Sequence, residues 1–118
     1  MKRIKFFQCP ECGNLLTATI GAELSCCGRR LSPMTVVPAD EAHRIHVADI
    51  ETEKLLTWAH PMEKQHHLTF LAAVGYDCVH IVRLYAEGAQ EQRLPRIPGA
   101  RYYCGCSKDT GTLFESRA

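Results

Sequence analysis

Apolar positions in the second half of the chain fall in short runs with strand-like spacing. LTFLAAV (68–74) is nearly continuous, the pattern of a strand buried on both faces. In DCVHIVRLYA (77–86) Val79, Ile81 and Val82 interleave with His80 and Arg83, and ARYYC (100–104) and TLF (112–114) follow. Gly75-Tyr76-Asp77 reads as a tight hairpin turn. Short strands with turn signals every ten residues or so predict an antiparallel, immunoglobulin-like β-sandwich. One stretch, ADEAHRIHVADIETEKLL (39–56), also has apolar spacing compatible with a helix.

The pattern changes near residue 38. LSPMTVVPADEAH carries Pro33 and Pro38, which discourage regular pairing, so a linker is expected there, between domains at 1–37 and 38–118. The first segment is too short to bury a core of its own, because chains below about 40 residues usually need a metal or disulfides to fold. No internal repeat or low-complexity segment is present.

Charge removes several functions. Fourteen Lys and Arg against thirteen Asp and Glu leave +1, too little to gather nucleic acid or an anionic membrane. The opening MKRIK is basic, but three cations at a terminus do not make a binding arm. The first residues lack a signal-peptide apolar run, and Phe70 to Val74 is far shorter than the roughly 20 residues of a membrane helix. A cytoplasmic protein without membrane or nucleic-acid partners is expected. In that reducing compartment seven cysteines point to metal ligands or thiols rather than disulfides.

Four of the seven lie early, at Cys9, Cys12, Cys26 and Cys27. CPECG is a turn that aims two thiolates at one point, and SCCG follows fourteen residues after Cys12. Together they form a closed four-sulfur site for iron or zinc, in the segment that needs a staple. Adjacent cysteines in an extended backbone point to opposite faces, so Cys26 and Cys27 share one ion only if the chain distorts locally. FFQCPECGN and SCCG resemble the desulforedoxin-type N-terminal domain of desulfoferrodoxins, in which FxCxxCGN and CCG hold one iron through four cysteines.

Five of the six histidines fall between His43 and His67. HPMEKQH (60–66) resembles the HPMxxxH segment of the superoxide reductase domain, which implies that His60 and His66 bind a second iron. Glu41-Ala42-His43 fits the family's EKH segment, making His43 the third imidazole and His46 its alternate if the register slips. The C-terminal thiolate then falls on Cys104, with Cys106 the alternate. In a straight strand these share a face about 7 Å apart, a gap that a turn at Gly105 would close. The resemblance spans essentially the whole chain. It implies one-electron reduction of superoxide to hydrogen peroxide, a rubredoxin-like or flavoprotein electron donor, and a homodimer.

The sequence departs from that pattern twice. Ala42 stands where the family has a lysine that helps attract superoxide, and Lys64 and Arg44 are the cations available to replace it. Glu41 and Lys64 are thus the candidate catalytic residues. The C-terminal histidine ligand is missing, its place taken by Ser107 or Gly111 depending on the alignment, so water, Asp109 or Cys106 is left to fill that position. The alternative reading is a non-catalytic metal or electron-transfer protein that keeps the cysteine centre. A zinc-ribbon interaction module is a weaker third reading, because no basic or aromatic nucleic-acid surface stands out. Of the other residues, His67 is expected to face away from the site, His80 to be packed or at the surface, and Cys78 to be a small buried thiol. Trp58 is expected to shield the imidazoles or simply to pack.

Overall fold

The computed structural model describes residues 4–19 and 23–116, so the first three residues of the basic MKRIK lie outside it. Twelve strands and no helix are found among the described residues. β1 (Lys5–Gln8) pairs antiparallel with β2 (Leu15–Ala18), and β3 (Ser25–Cys26) with β4 (Arg29–Arg30). A sandwich follows. β10 (Glu91–Pro95), β7 (Glu53–Thr57) and β6 (His46–Ile50) form one sheet, in that order. The other runs β5 (Thr35–Pro38), β12 (Asp109–Ser116), β11 (Arg101–Cys106), β8 (Leu68–Val74) and β9 (Val79–Arg83).

One expectation is corrected and one alternative is set aside. The stretch 39–56, where helical spacing stood as an alternative to strand, supplies the β6–β7 hairpin, which turns at Glu51 with φ +46°. Its apolar residues also suit the alternation of a half-buried strand, and sheet packing decides between the two periods. The supposed linker contains β5, paired parallel to β12 from Thr35↔Thr112 to Pro38↔Glu115. β5 is an edge strand, where Pro38 costs no inter-strand hydrogen bond on its open side.

The larger sheet is buried on both faces. Leu68, Leu71, Ala73, Tyr102, Cys104, Cys106 and Phe114 face the sandwich core with Ile45, Leu56, Trp58 and Leu94. Phe70, Ala72, Val74, Tyr103 and Leu113 face outward and pack against Phe6 and Met34 of the N-terminal segment. This two-sided burial accounts for the unbroken apolar run of β8. Phe6 stacks on Phe70 at 6.3 Å between centroids, and Arg83 donates to the Gly13 carbonyl at 3.0 Å, so the N-terminal segment is fastened to the sheet. Phe7, the next residue, points into a separate small cluster with Cys9 and Leu31. Three buried residues make a core too small to stand alone, as the length of the segment predicts.

Candidate metal centres

The first centre is built from two turns. After β1 the chain folds back with Cys9 N–H donating to Asn14 O (2.9 Å) and Gly13 N–H to Cys9 O (2.9 Å); Gly13 takes φ +77°. Between β3 and β4 the two-residue turn is Cys27-Gly28, with φ +54° and +72°. The distortion that adjacent cysteines require is therefore at Cys27, whose left-handed backbone costs on the order of 1 kcal/mol. It swings Cys27 round to the same side as Cys26.

All four sulfurs lie within 4.8 Å of one another, and Cys12 Sγ is 3.6 Å from Cys26 Sγ. A tetrahedral ion with metal–sulfur bonds of about 2.3 Å has edges of about 3.8 Å, so the set fits a thiolate-bound metal. The electrostatics agree. The Cys12 backbone N–H aimed at the Cys9 sulfur lowers that thiol to about 7, while hydrogen bonds from Cys27 to the Cys12 and Cys9 sulfurs push Cys27 up to about 12. Four thiols this close cannot all ionise unless a cation neutralises them. Asn14 Nδ2 points at Cys26 Sγ (3.8 Å), Cys9 is buried, and Cys12 and Cys27 are exposed.

The second centre gathers distant segments. His43 ends the turn before β6, His60 lies in the loop after β7, and Cys106 ends β11; one ligand atom from each falls within 4.8 Å of the others. His60 and Cys106 are almost wholly buried, and Cys106 Sγ is 3.5 Å from His60 Nε2. Neighbouring ligands on one ion, with bonds of about 2.1 Å to nitrogen and 2.3 Å to sulfur, stand about 3.1–3.6 Å apart, so this set also fits a metal.

Hydrogen bonds set both tautomers. His60 Nδ1–H donates to the Pro61 carbonyl (2.8 Å), which can only accept, and this leaves the Nε2 lone pair facing Cys106. His43 Nδ1–H donates to Asp40 Oδ1 (2.7 Å), leaving its Nε2 free as well. Burial lowers the His60 pKa and keeps the ring neutral, the form that binds metals. Burial also raises Cys106, opposed by the Lys108 backbone N–H directed at the sulfur. Gln90 Nε2 donates to the His60 carbonyl (2.9 Å) and holds the loop.

His66 adjoins this group without joining it. Its ring meets that of His60 edge-on at 4.5 Å, on a turn closed by paired hydrogen bonds with Glu63. Cys104, the thiol that the alignment favours, is buried and donates to the His43 carbonyl (3.3 Å), and burial pushes it up to about 12. Cys106 is the thiol beside the imidazoles. The register breaks at Gly105 against β8 and between Cys104 and Cys106 against β12, and a Cβ on Gly105 would lie 2.3 Å from the Phe70 ring. That break gives the two sulfurs different surroundings although their residues share a face.

The remaining candidates lie apart from the group. Glu41 is exposed and paired with Arg44 (3.0 Å), Lys64 is exposed, and His46 is exposed on β6. His67 Nδ1–H donates to the Glu63 carbonyl (3.1 Å), and His80 is half-buried on β9. Cys78 is exposed rather than buried, because it lies in the β8–β9 turn, which the Gly75 N–H closes by bonding to its carbonyl. Trp58 is buried in the sandwich core. Sequence reasoning missed Asp40 and Phe114, whose ring stacks on His43 at 3.9 Å and 7°. The Asp three residues before a candidate ligand was the available signal for the first.

No protein-family model matches the chain. It is 33% identical over 85 residues to a desulfoferrodoxin homologue of Archaeoglobus fulgidus, covering 65% of this chain and 68% of that protein. It is 27% identical over 114 residues to a desulfoferrodoxin of Syntrophotalea carbinolica, covering 87% and 90%. Its fold matches the crystal structure of the superoxide reductase from Treponema pallidum with a TM-score of 0.79 over 97% of both chains, at 20% identity.

Proposed function

The chain belongs to the desulfoferrodoxin family, and from that premise we propose that it reduces superoxide to hydrogen peroxide at an iron held by His43, His60 and Cys106. The observation that carries the reading is the convergence of those three side chains, with both imidazoles turned so that Nε2 is free. An iron ion held there supplies one-electron exchange between its ferrous and ferric forms, which zinc does not. Superoxide takes one electron and two protons in becoming hydrogen peroxide, so solvent supplies the protons and a rubredoxin-like or flavoprotein donor restores the electron.

The chain's own residues hold and shield the site. Pro61 O and Asp40 orient the imidazoles, Phe114 covers one face of His43, and burial keeps His60 neutral. His66, edge-on to His60, is the imidazole available to enlarge the set. Arg44 follows His43 directly and Lys64 lies between His60 and His66, and Glu41 holds Arg44. At the first centre Cys12 and Cys27 are exposed, so an iron held by the four thiolates would be within reach of a donor. The same proposal takes the protein as a cytoplasmic homodimer; no helix among the described residues is long and apolar enough to cross a membrane.

Metal analysis of protein from iron-rich medium, followed by stopped-flow mixing of the reduced protein with superoxide, tests the reading. Two irons per chain and superoxide decay well above buffer are expected; decay at the buffer rate defeats it. The position of His66 outside the group favours a second reading, in which a three-ligand centre serves electron transfer alone or binds zinc. Two metals without superoxide turnover would support it.

A further inference from the structure

A carboxylate sits behind one of the candidate ligands. A single oxygen, Asp40 Oδ1, accepts both the His43 backbone N–H (3.0 Å) and its Nδ1–H (2.7 Å), while the Asp40 carbonyl accepts the same backbone N–H at 3.2 Å. The imidazole is thereby gripped along its edge, and Phe114 stacked at 3.9 Å grips its face. Little freedom is left to the ring, and its remaining nitrogen lies with His60 and Cys106. The neighbouring Glu41 does not compete, because Arg44 holds its carboxylate at 3.0 Å.

Resting on the reading of His43 as a metal ligand, we infer that Asp40 is a positioning residue of the second centre, holding His43 in the binding tautomer and strengthening Nε2 as a donor by its charge. A carboxylate hydrogen-bonded to the far nitrogen of a ligating imidazole makes the ring more basic, and losing such a partner typically weakens metal binding about 10- to 100-fold. The Asp40 side chain is 66% exposed, so water screens its charge and the effect belongs at the lower end, about tenfold. The charge also has a direction. A negative group behind His43 favours the more highly charged oxidation state of a bound ion and lowers its potential. The same turn carries Ala42 in place of a cation, so no cation at that position opposes it.

The test uses the full-length, iron-loaded protein and compares wild type with Asp40→Asn, Asp40→Glu and Asp49→Asn. Asn retains an oxygen for the His43 N–H and removes only the charge; Asp49 of β6 pairs with Lys54 and Arg96 and serves as the control. Chelator competition should show the second metal held about tenfold more weakly in Asp40→Asn. Its midpoint potential should be higher, with the four-thiolate centre unmoved and the unfolding temperature little changed. Asp40→Glu should recover part of both shifts, and Asp49→Asn should show neither. An Asp40→Asn protein with wild-type affinity and potential overturns the inference while leaving the metal-site reading intact. A wild-type protein that holds a single metal overturns that reading and the inference with it.

Discussion

The two centres differ in how much chain each must organise. The first takes its four thiols from residues 9 to 27 and builds them on two tight turns, with two of its sulfurs exposed. The second draws on residues 43, 60 and 106, brought together only when both sheets of the sandwich are in place, and two of the three are almost wholly buried. A local site of this kind helps to fold its segment, since the surrounding cluster of Phe7, Cys9 and Leu31 is too small to hold without a metal. A site assembled from distant strands inherits its geometry from a core that folds regardless. Metal should therefore be a structural requirement at the first centre and a functional one at the second.

Substitutions at the ligands should separate the centres most strongly. Cys106→Ser should weaken the second metal by more than about 100-fold and bring superoxide decay to the buffer rate, because the ligand itself is lost. Cys104→Ser should leave both metals in place and cost only about 1 kcal/mol, since a hydroxyl can also donate to the His43 carbonyl. Metal content and denaturant unfolding read the two outcomes. Cys12→Ser should melt residues 5–30 while the sandwich and the second metal persist, visible as loss of amide-exchange protection confined to that segment.

Smaller changes test how firmly the two regions are joined. Phe6→Ala removes the ring between Phe70 and Tyr103 and should cost about 3 kcal/mol in chemical denaturation, leaving the ligands of both centres intact. Asp49→Asn, an exposed position on β6 outside both ligand sets, should cost little stability in the same assay. The hydrogen bond from Lys54 and the charge of Arg96 hold the Asp49 carboxyl below its ordinary value. Its contribution is therefore present above the usual aspartate range and lost as pH falls through the lowered value. The difference between wild type and Asp49→Asn should shrink on acidification below about pH 4.

These regions also differ in what could be read from the chain. The first centre was legible because a Cys-x-x-Cys turn and a Cys-Cys-Gly turn carry their geometry locally, down to the distortion at Cys27. The strands at 68–74 and 79–83 were legible because alternation reports burial. At the second centre the choice of thiol beside His60 was not. Whether Cys104 or Cys106 lies beside it depends on the register break around Gly105, which arises between strands far apart in sequence. The helical spacing of 39–56 left a second reading open beside the strands because a hairpin with apolar residues on one face can imitate it over two short strands. Pro38 misled because a proline is tolerated at an open sheet edge. Asp40 escaped notice because only the fold shows that its carboxylate reaches the ring of His43.

Electron paramagnetic resonance of the oxidised, iron-loaded protein, with and without azide, tests the central claim most directly. Two ferric signals are predicted: one indifferent to the anion, and one that azide shifts, absent from Cys106→Ser and retained in Cys104→Ser. A single signal that ignores azide, or a second signal that survives loss of the Cys106 sulfur, would contradict the account.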